Sequence, residues 1–198
     1  MTTKRSRYPS FDVMKERDEW DDHTQAIVTS RLSSNDRYEF LTLVEAEMLR
    51  SICSLLVDDE KQEVLRFILR HIDETLRQPI GESERKAGVP PAPELIRSGL
   101  KAIERGVLLR HSTTFMSLDK PEQAAYLRKI SENAAEPSEA WAGIPQEPLF
   151  RKLCTLTIEA YCSHPRIWSE IGYAGPAYPR GYVRTQLGQL DPWEAQPE

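Results

Sequence analysis

Cysteine is scarce: Cys53, Cys154 and Cys162 are the only three in 198 residues, so any disulfide scheme leaves one unpaired. None stands in the CxxC spacing of a metal ligand pair, and all three are expected to be buried free thiols. Long apolar runs are missing as well. No stretch approaches the roughly 20 apolar residues that cross a bilayer, and charges interrupt the aliphatic segments within a turn or two, so no membrane span is expected. Basic excess is absent: 26 Lys and Arg face 31 Asp and Glu, for a net charge of -5. Without a basic face to release counterions from a phosphate backbone, nucleic acid is not an expected partner. The sequence also lacks GxSxG, GxGxxG and GxxxxGK(S/T), which excludes a nucleophile elbow and the usual phosphate cradles. Its four histidines show no HExxH or other paired spacing, so neither a metal nor a cofactor is expected in this chain. Behind Lys4, Arg5 and Arg7 comes no apolar segment of the kind an export signal needs. The expected location is therefore the cytoplasm.

What is present is 39% apolar residues, enough for a chain of this length to bury roughly 70% of its unfolded surface. Their spacing is helical. Asp21 and Asp22 open a first helix with Thr24, Ile27, Val28 and Leu32 on one face, ending near Ser33 before the turn cluster Ser33–Asp36. Thr42 and Glu45 form a capping box for a second, with Leu43, Ala46, Leu49, Cys53 and Leu56 as its core face. A third, after the turn at Asp58–Lys61, carries Val64, Leu65, Ile68, Ile72 and Leu76. Pro79 to Pro93 is a loop; a fourth helix then buries Leu95, Ile96, Leu100 and Ile103 until Gly106 ends it, and 107–116 has no assignment. Asp119 with Pro121 starts a fifth through Ala124, Leu127 and Ile130. An irregular connection with Trp141 leads to a sixth over 149–162, with Phe150, Leu153, Cys154, Thr157, Ile158 and Tyr161 inward. The predicted architecture is all-α, an irregular bundle of about six helices over 20–162. An N-terminal arm, 1–19, precedes it, and a long Gly/Pro/aromatic-rich C-terminal arm, 163–198, follows.

That last arm is the informative segment. Its glycines, prolines and aromatics follow no helical or alternating period, so it is expected to be an ordered arm rather than a helix. A disordered tail would be poor in aromatics, whereas this one holds Trp168, Tyr173, Tyr178, Tyr182 and Trp193. Glycine permits turns that bulkier residues cannot make and proline stiffens them, so rings held this way meet a partner at little entropic cost. Aromatics with arginine are also the composition of an interface hot spot. The candidate partner-binding residues are His164, Pro165, Trp168, Ile171, Gly172, Tyr173, Gly175, Pro176, Tyr178, Pro179, Arg180, Gly181, Tyr182 and Trp193. The arm either wraps its own helices or faces a partner, and both at once are compatible, with Trp168 buried at home while Tyr173, Tyr178 and Arg180 point outward. A nucleophilic dyad of Cys162 and His164 is the enzymatic alternative, but residues two apart on a helix face different directions.

The same residues carry a resemblance. Trp20-Asp21-Asp22-x-Thr24, Phe40-Leu41-Thr42 through Glu45, Ile52-Cys53, Tyr161-Cys162-Ser163-His164-Pro165, Trp168-Ser169-Glu170-Ile171-Gly172-Tyr173-x-Gly175-Pro176, Pro179-Arg180-Gly181-Tyr182 and Asp191-Pro192-Trp193 resemble the gluconate 2-dehydrogenase subunit 3 family. The resemblance implies a small, non-catalytic accessory subunit. Its partner would be a large flavoprotein of the glucose-methanol-choline oxidoreductase class, which holds FAD and oxidises a sugar or polyol; a cytochrome c subunit in the same complex is a further implied partner. The small subunit would support the folding, stability or export of the large one. Many relatives carry an export signal with twin arginines, which this sequence lacks; a signal-bearing partner would place it in the periplasm. A stand-alone helical interaction module with an unrelated partner is the other reading.

Overall fold

A computed structural model describes residues 6–33, 37–78 and 86–196. Among them are seven α-helices, three short 3-10 helices and no strand, which agrees with the all-α expectation. None of the helices is long and apolar enough to cross a membrane. By contacts the chain divides into two units: Asp36–Ala160 forms one, and the two chain ends, Met1–Asn35 with Tyr161–Glu198, form the other.

The larger unit is built on α2 (Leu43–Val57), α3 (Gln62–Arg77), α4 (Ala92–His111), α5 (Lys120–Ser131) and α6 (Gln146–Tyr161). Helix α2 meets α3, α4 and α5, and its Cys53 Sγ lies 3.3 Å from Thr157 Oγ1 on α6. The α3 stripe is buried as its period predicts, and Phe67, Leu69 and Asp73 join it. On α2 the predicted face is rotated: Leu43 is 76% exposed, while Met48 and Ile52 are buried with Ala46, Leu49 and Cys53. A first-turn residue has no preceding turn to pack beneath it, so apolarity at that position says little about which side the bundle covers. Similar shifts leave Ile27 and Leu32 exposed, bury Gln123 and Tyr126 on α5 in place of Ala124, and turn Ile158 outward on α6.

Gly106 does not end the fourth helix. It is buried mid-helix, and a Cβ there would strike the hydroxyl of Tyr126, so its missing side chain makes room for α5. The helix runs on through the unassigned residues to His111, where Ser112 in the left-handed region closes it, and a 3-10 turn, Phe115–Ser117, follows. Trp141 lies in a second such turn, Ser138–Trp141, packed on α4. The sequence expectations at 34–36 and 79–85 lie outside the described residues.

The predicted capping box forms. In α2 the Glu45 amide donates to Thr42 Oγ1 at 3.2 Å and Glu45 Oε2 accepts from the Thr42 amide at 2.9 Å; Asp119 and Glu122 repeat the pattern on α5. Arg97 of α4 adds a bond from Nε to Glu45 Oε1 at 3.0 Å and from Nη2 to Phe40 O at 2.6 Å, with its guanidinium stacked 4.1 Å over Phe40. Burial works against the charge of Glu45, yet the Thr42 amide and hydroxyl with Arg97 outweigh it and hold the carboxyl below its ordinary range. A depressed folded pKa contributes stability above the unfolded value of ~4.3. That contribution is lost as pH falls through the folded value. Glu45→Gln should therefore flatten the acid limb of the pH–stability curve; a limb of unchanged steepness would assign the acid sensitivity elsewhere.

The thiols do not share one environment. Cys53 is fully buried and burial pushes its thiol up to about 12, as expected of an inert core cysteine. Cys154 is half-buried, whereas Cys162 is exposed, which corrects the expectation for that residue. It stands just past the last turn of α6.

Candidate partner-binding site

The unit made by the chain ends has its own core. Val13, Trp20, Val28 and Trp168 are buried together, flanked by Phe11 and Met14. Val13 belongs to a 3-10 helix, Val13–Glu19, capped by Asp12, in the stretch read from the sequence as an N-terminal arm. Val28 lies on α1, Asp22–Ser30, whose cap is Asp21: its carboxylate accepts from the amides of His23 and Thr24 at 3.1 and 3.2 Å.

Trp168 lies on α7, Pro165–Ile171, and this helix corrects the expectation that the C-terminal arm holds none. Seven residues make two turns, too few for a 3.6-residue period to register. The signals that mark it are its ends. Pro165 stands at the first position, His164 Nδ1 accepts from the Arg166 amide at 3.1 Å, and Gly172 closes it with φ +75°. His164 is thus buried, and its Nδ1 is engaged in capping the helix.

Trp168 is held on several sides. Its Nε1 donates to Cys162 O at 2.6 Å, the Arg31 guanidinium stacks 5.2 Å from the ring, and Tyr173 meets it edge-on at 5.3 Å. Arg31 Nη1 also donates to Ser163 O at 2.8 Å. Pro165, Ile167, Ala174 and Gly175 are buried around this point. Burial, and then the neighbouring Tyr182, raise the Tyr173 phenol above its ordinary range against the opposing Arg180 and Arg31.

Arg180, expected to point outward, is turned inward with its side chain 5% exposed. Its guanidinium stacks 4.9 Å over Trp193, Nη2 donates to Ala174 O, and Nη1 lies 3.7 Å from Glu16 Oε2. A second tie rests on Asp191, which the sequence marks only within the motif Asp191-Pro192-Trp193, without a structural role. Asp191 is fully buried, and its Oδ1 accepts from the amides of Val183 and Arg184, both at 2.7 Å. The Asp191 amide in turn donates to Glu194 Oε2 at 2.7 Å. The Asp-x-x-Glu spacing of a cap was the legible signal for it.

Around these two ties much of the chain faces outward. Ile171, Tyr173, Tyr178 and Tyr182 are exposed, the last two at 70% and 65%, and Val183, Leu187 and Leu190 join them. Pro179 is exposed beside Tyr178, while Gly172, Pro176, Gly181 and Trp193 are half-buried. The structure therefore sorts ten of the fourteen candidate residues into two sets, with the four half-buried ones between them. His164, Pro165, Trp168, Gly175 and Arg180 hold the arm from within; Ile171, Tyr173, Tyr178, Pro179 and Tyr182 lie on its surface.

The family model described as gluconate 2-dehydrogenase subunit 3 matches residues 43–175. No curated protein matches the chain. No solved structure does either. The matched range runs from the start of α2 to the turn at Gly175 and takes in α7 with both of its end signals. With about two thirds of its length covered, the chain belongs to the gluconate 2-dehydrogenase subunit 3 family, small subunits of a dehydrogenase complex.

Proposed function

We propose that this chain is the non-catalytic small subunit of its complex, and that it binds and stabilises a large FAD-dependent sugar or polyol dehydrogenase through the surface of residues 171–190. One observation carries the reading. Those 20 residues contain seven exposed large apolar or aromatic side chains and no acidic residue or lysine, in a chain that is 29% charged. Their two arginines are occupied beneath or beside rings, Arg180 over Trp193 and Arg184 over Tyr182. Depletion of charge with enrichment of Tyr and Arg marks the centre of a protein interface. An apolar surface left uncovered would invite nonspecific association.

Binding of this kind stabilises the large subunit by mass action: a ligand at about 100 times its Kd adds roughly 2.7 kcal/mol to the folded state. FAD and the hydride chemistry belong, in this proposal, to the large subunit, and a cytochrome c subunit is a further member of the assembly. The proposed location is the cytoplasm, or the periplasm when a signal-bearing partner carries the pair.

Co-expression with the large flavoprotein of the complex should yield a yellow complex that copurifies. Replacing Tyr178 and Tyr182 together with Ser should raise Kd by about 30-fold, the ~2 kcal/mol of a hot spot, with little change in the free chain's stability because both rings are solvent-facing. A large subunit equally soluble and active alone would overturn the stabilising role. Unchanged affinity of the double variant would move the interface off this surface.

A further inference from the structure

We infer that residues 6–20 are a strap that holds the 172–184 segment in shape, so that the docking surface exists only while this N-terminal stretch is seated. The consequence for docking rests on the function proposed above; the strap itself rests on geometry alone.

The partner-facing segment is rich in freedom of its own. Gly172, Gly175 and Gly181 all sit at positive φ, and glycine loses more conformational freedom on ordering than any other residue. Two of these glycines are filled from the N-terminal stretch. A Cβ on Gly172 would lie 2.6 Å from Cε2 of Tyr8, and one on Gly175 would lie 2.5 Å from Cζ2 of Trp20. The two rings occupy the places where side chains would otherwise be, one on each side of Tyr173.

Polar ties alternate with these ring contacts. Ser6 Oγ donates to Glu170 O at 2.7 Å, the Val13 amide donates to Ser169 Oγ at 3.1 Å, and Glu16 stands 3.7 Å from Arg180. The strap is itself shaped by local bonds, from the Tyr8 amide to Ser6 Oγ and from the Phe11 amide to Tyr8 O. Its 3-10 helix packs directly on α7. A segment that binds as a rigid surface has met its ordering cost beforehand; once released, that cost is transferred to the binding step and affinity falls.

The test is hydrogen exchange on the full chain carrying Tyr8→Ala with Glu16→Ala. Both side chains are only partly buried, so the core residues Val13, Trp20 and Trp168 stay in place. Amides of 172–184 should exchange about tenfold faster or more, with those of α2–α4 unchanged, and Kd for the flavoprotein should rise about tenfold. Ser169→Ala, which deletes the acceptor of the Val13 amide along with the hydroxyl's own bond to Pro165 O inside α7, should produce a smaller rise in the same peptides. Unchanged exchange in 172–184, or acceleration spread evenly over α2–α4, would overturn the strap. Loosened exchange with undiminished affinity would overturn its part in docking. A wild-type chain that never binds a flavoprotein, while the double variant loosens as described, would leave the strap in place and remove the proposed function instead.

Discussion

Trp168→Ala is expected to destabilise the unit formed by the chain ends by about 4 kcal/mol, within the usual cost of truncating a buried Trp. The indole is almost fully buried among Val13, Trp20 and Val28. Its removal leaves a cavity there and deprives Cys162 O of its donor. It also strips Arg31 of its stacking face and Tyr173 of its edge contact. Each of those aromatic terms contributes about 0.5–1.5 kcal/mol beyond the buried area. Protection of amides in 13–31 and 165–175, measured by native-state exchange, reads the effect locally. A single melting curve would mix two units and is the poorer measure. Trp168→Phe keeps the ring but not the indole donor and should recover more than half of the loss. An Ala variant within 1 kcal/mol of the parent would mean that α7 is held by other contacts.

The second large effect is expected in the other unit. Asp73 is buried on α3, and its carboxylate accepts three backbone amides: Glu39 at 2.9 Å, Phe40 at 2.9 Å and Leu41 at 2.8 Å. One side chain thereby satisfies the consecutive donors that lead into α2, and Arg97 fastens the same stretch through Phe40 O. Asp73→Ala orphans all three and should cost roughly 3 kcal/mol, since the Leu41 donor is buried while water reaches the other two in part. Asp73→Asn keeps one acceptor oxygen but turns an amide group toward N–H donors, so an intermediate loss is expected. Denaturant unfolding followed by the exchange of α2 and α3 amides measures both. If the Ala variant is as stable as the parent, water replaces the carboxylate and the approach to α2 does not depend on it.

Asp73 also marks what sequence reading reaches and what it misses. Its helix was legible because Val64, Leu65, Ile68, Ile72 and Leu76 repeat every three or four residues, and a single periodic face is information carried within one helix. Asp73 lies on the same buried side, but nothing local says that a carboxylate there is satisfied by amides more than 30 positions earlier. The cap at Thr42 was legible for the reason the stripe was: cap and partner are three residues apart. Helix α7 escaped because its evidence was punctuation, Pro165 and Gly172, rather than period.

Arg180 and Leu43 show the limit from the other side. Composition placed arginine and apolar residues where an interface and a core were expected, yet Leu43 lies in solvent and Arg180 inside, against Trp193 and Glu16. The family, the helical class and the existence of an aromatic C-terminal segment were determined by the sequence by itself, through motifs, periods and caps that span a few neighbouring residues. Which rings face outward, and the closing of Tyr8 and Trp20 over Gly172 and Gly175, were decided only by the tertiary structure. The physical reason is distance along the chain: burial is set by partners some 150 residues away, and no local pattern encodes which of them arrives.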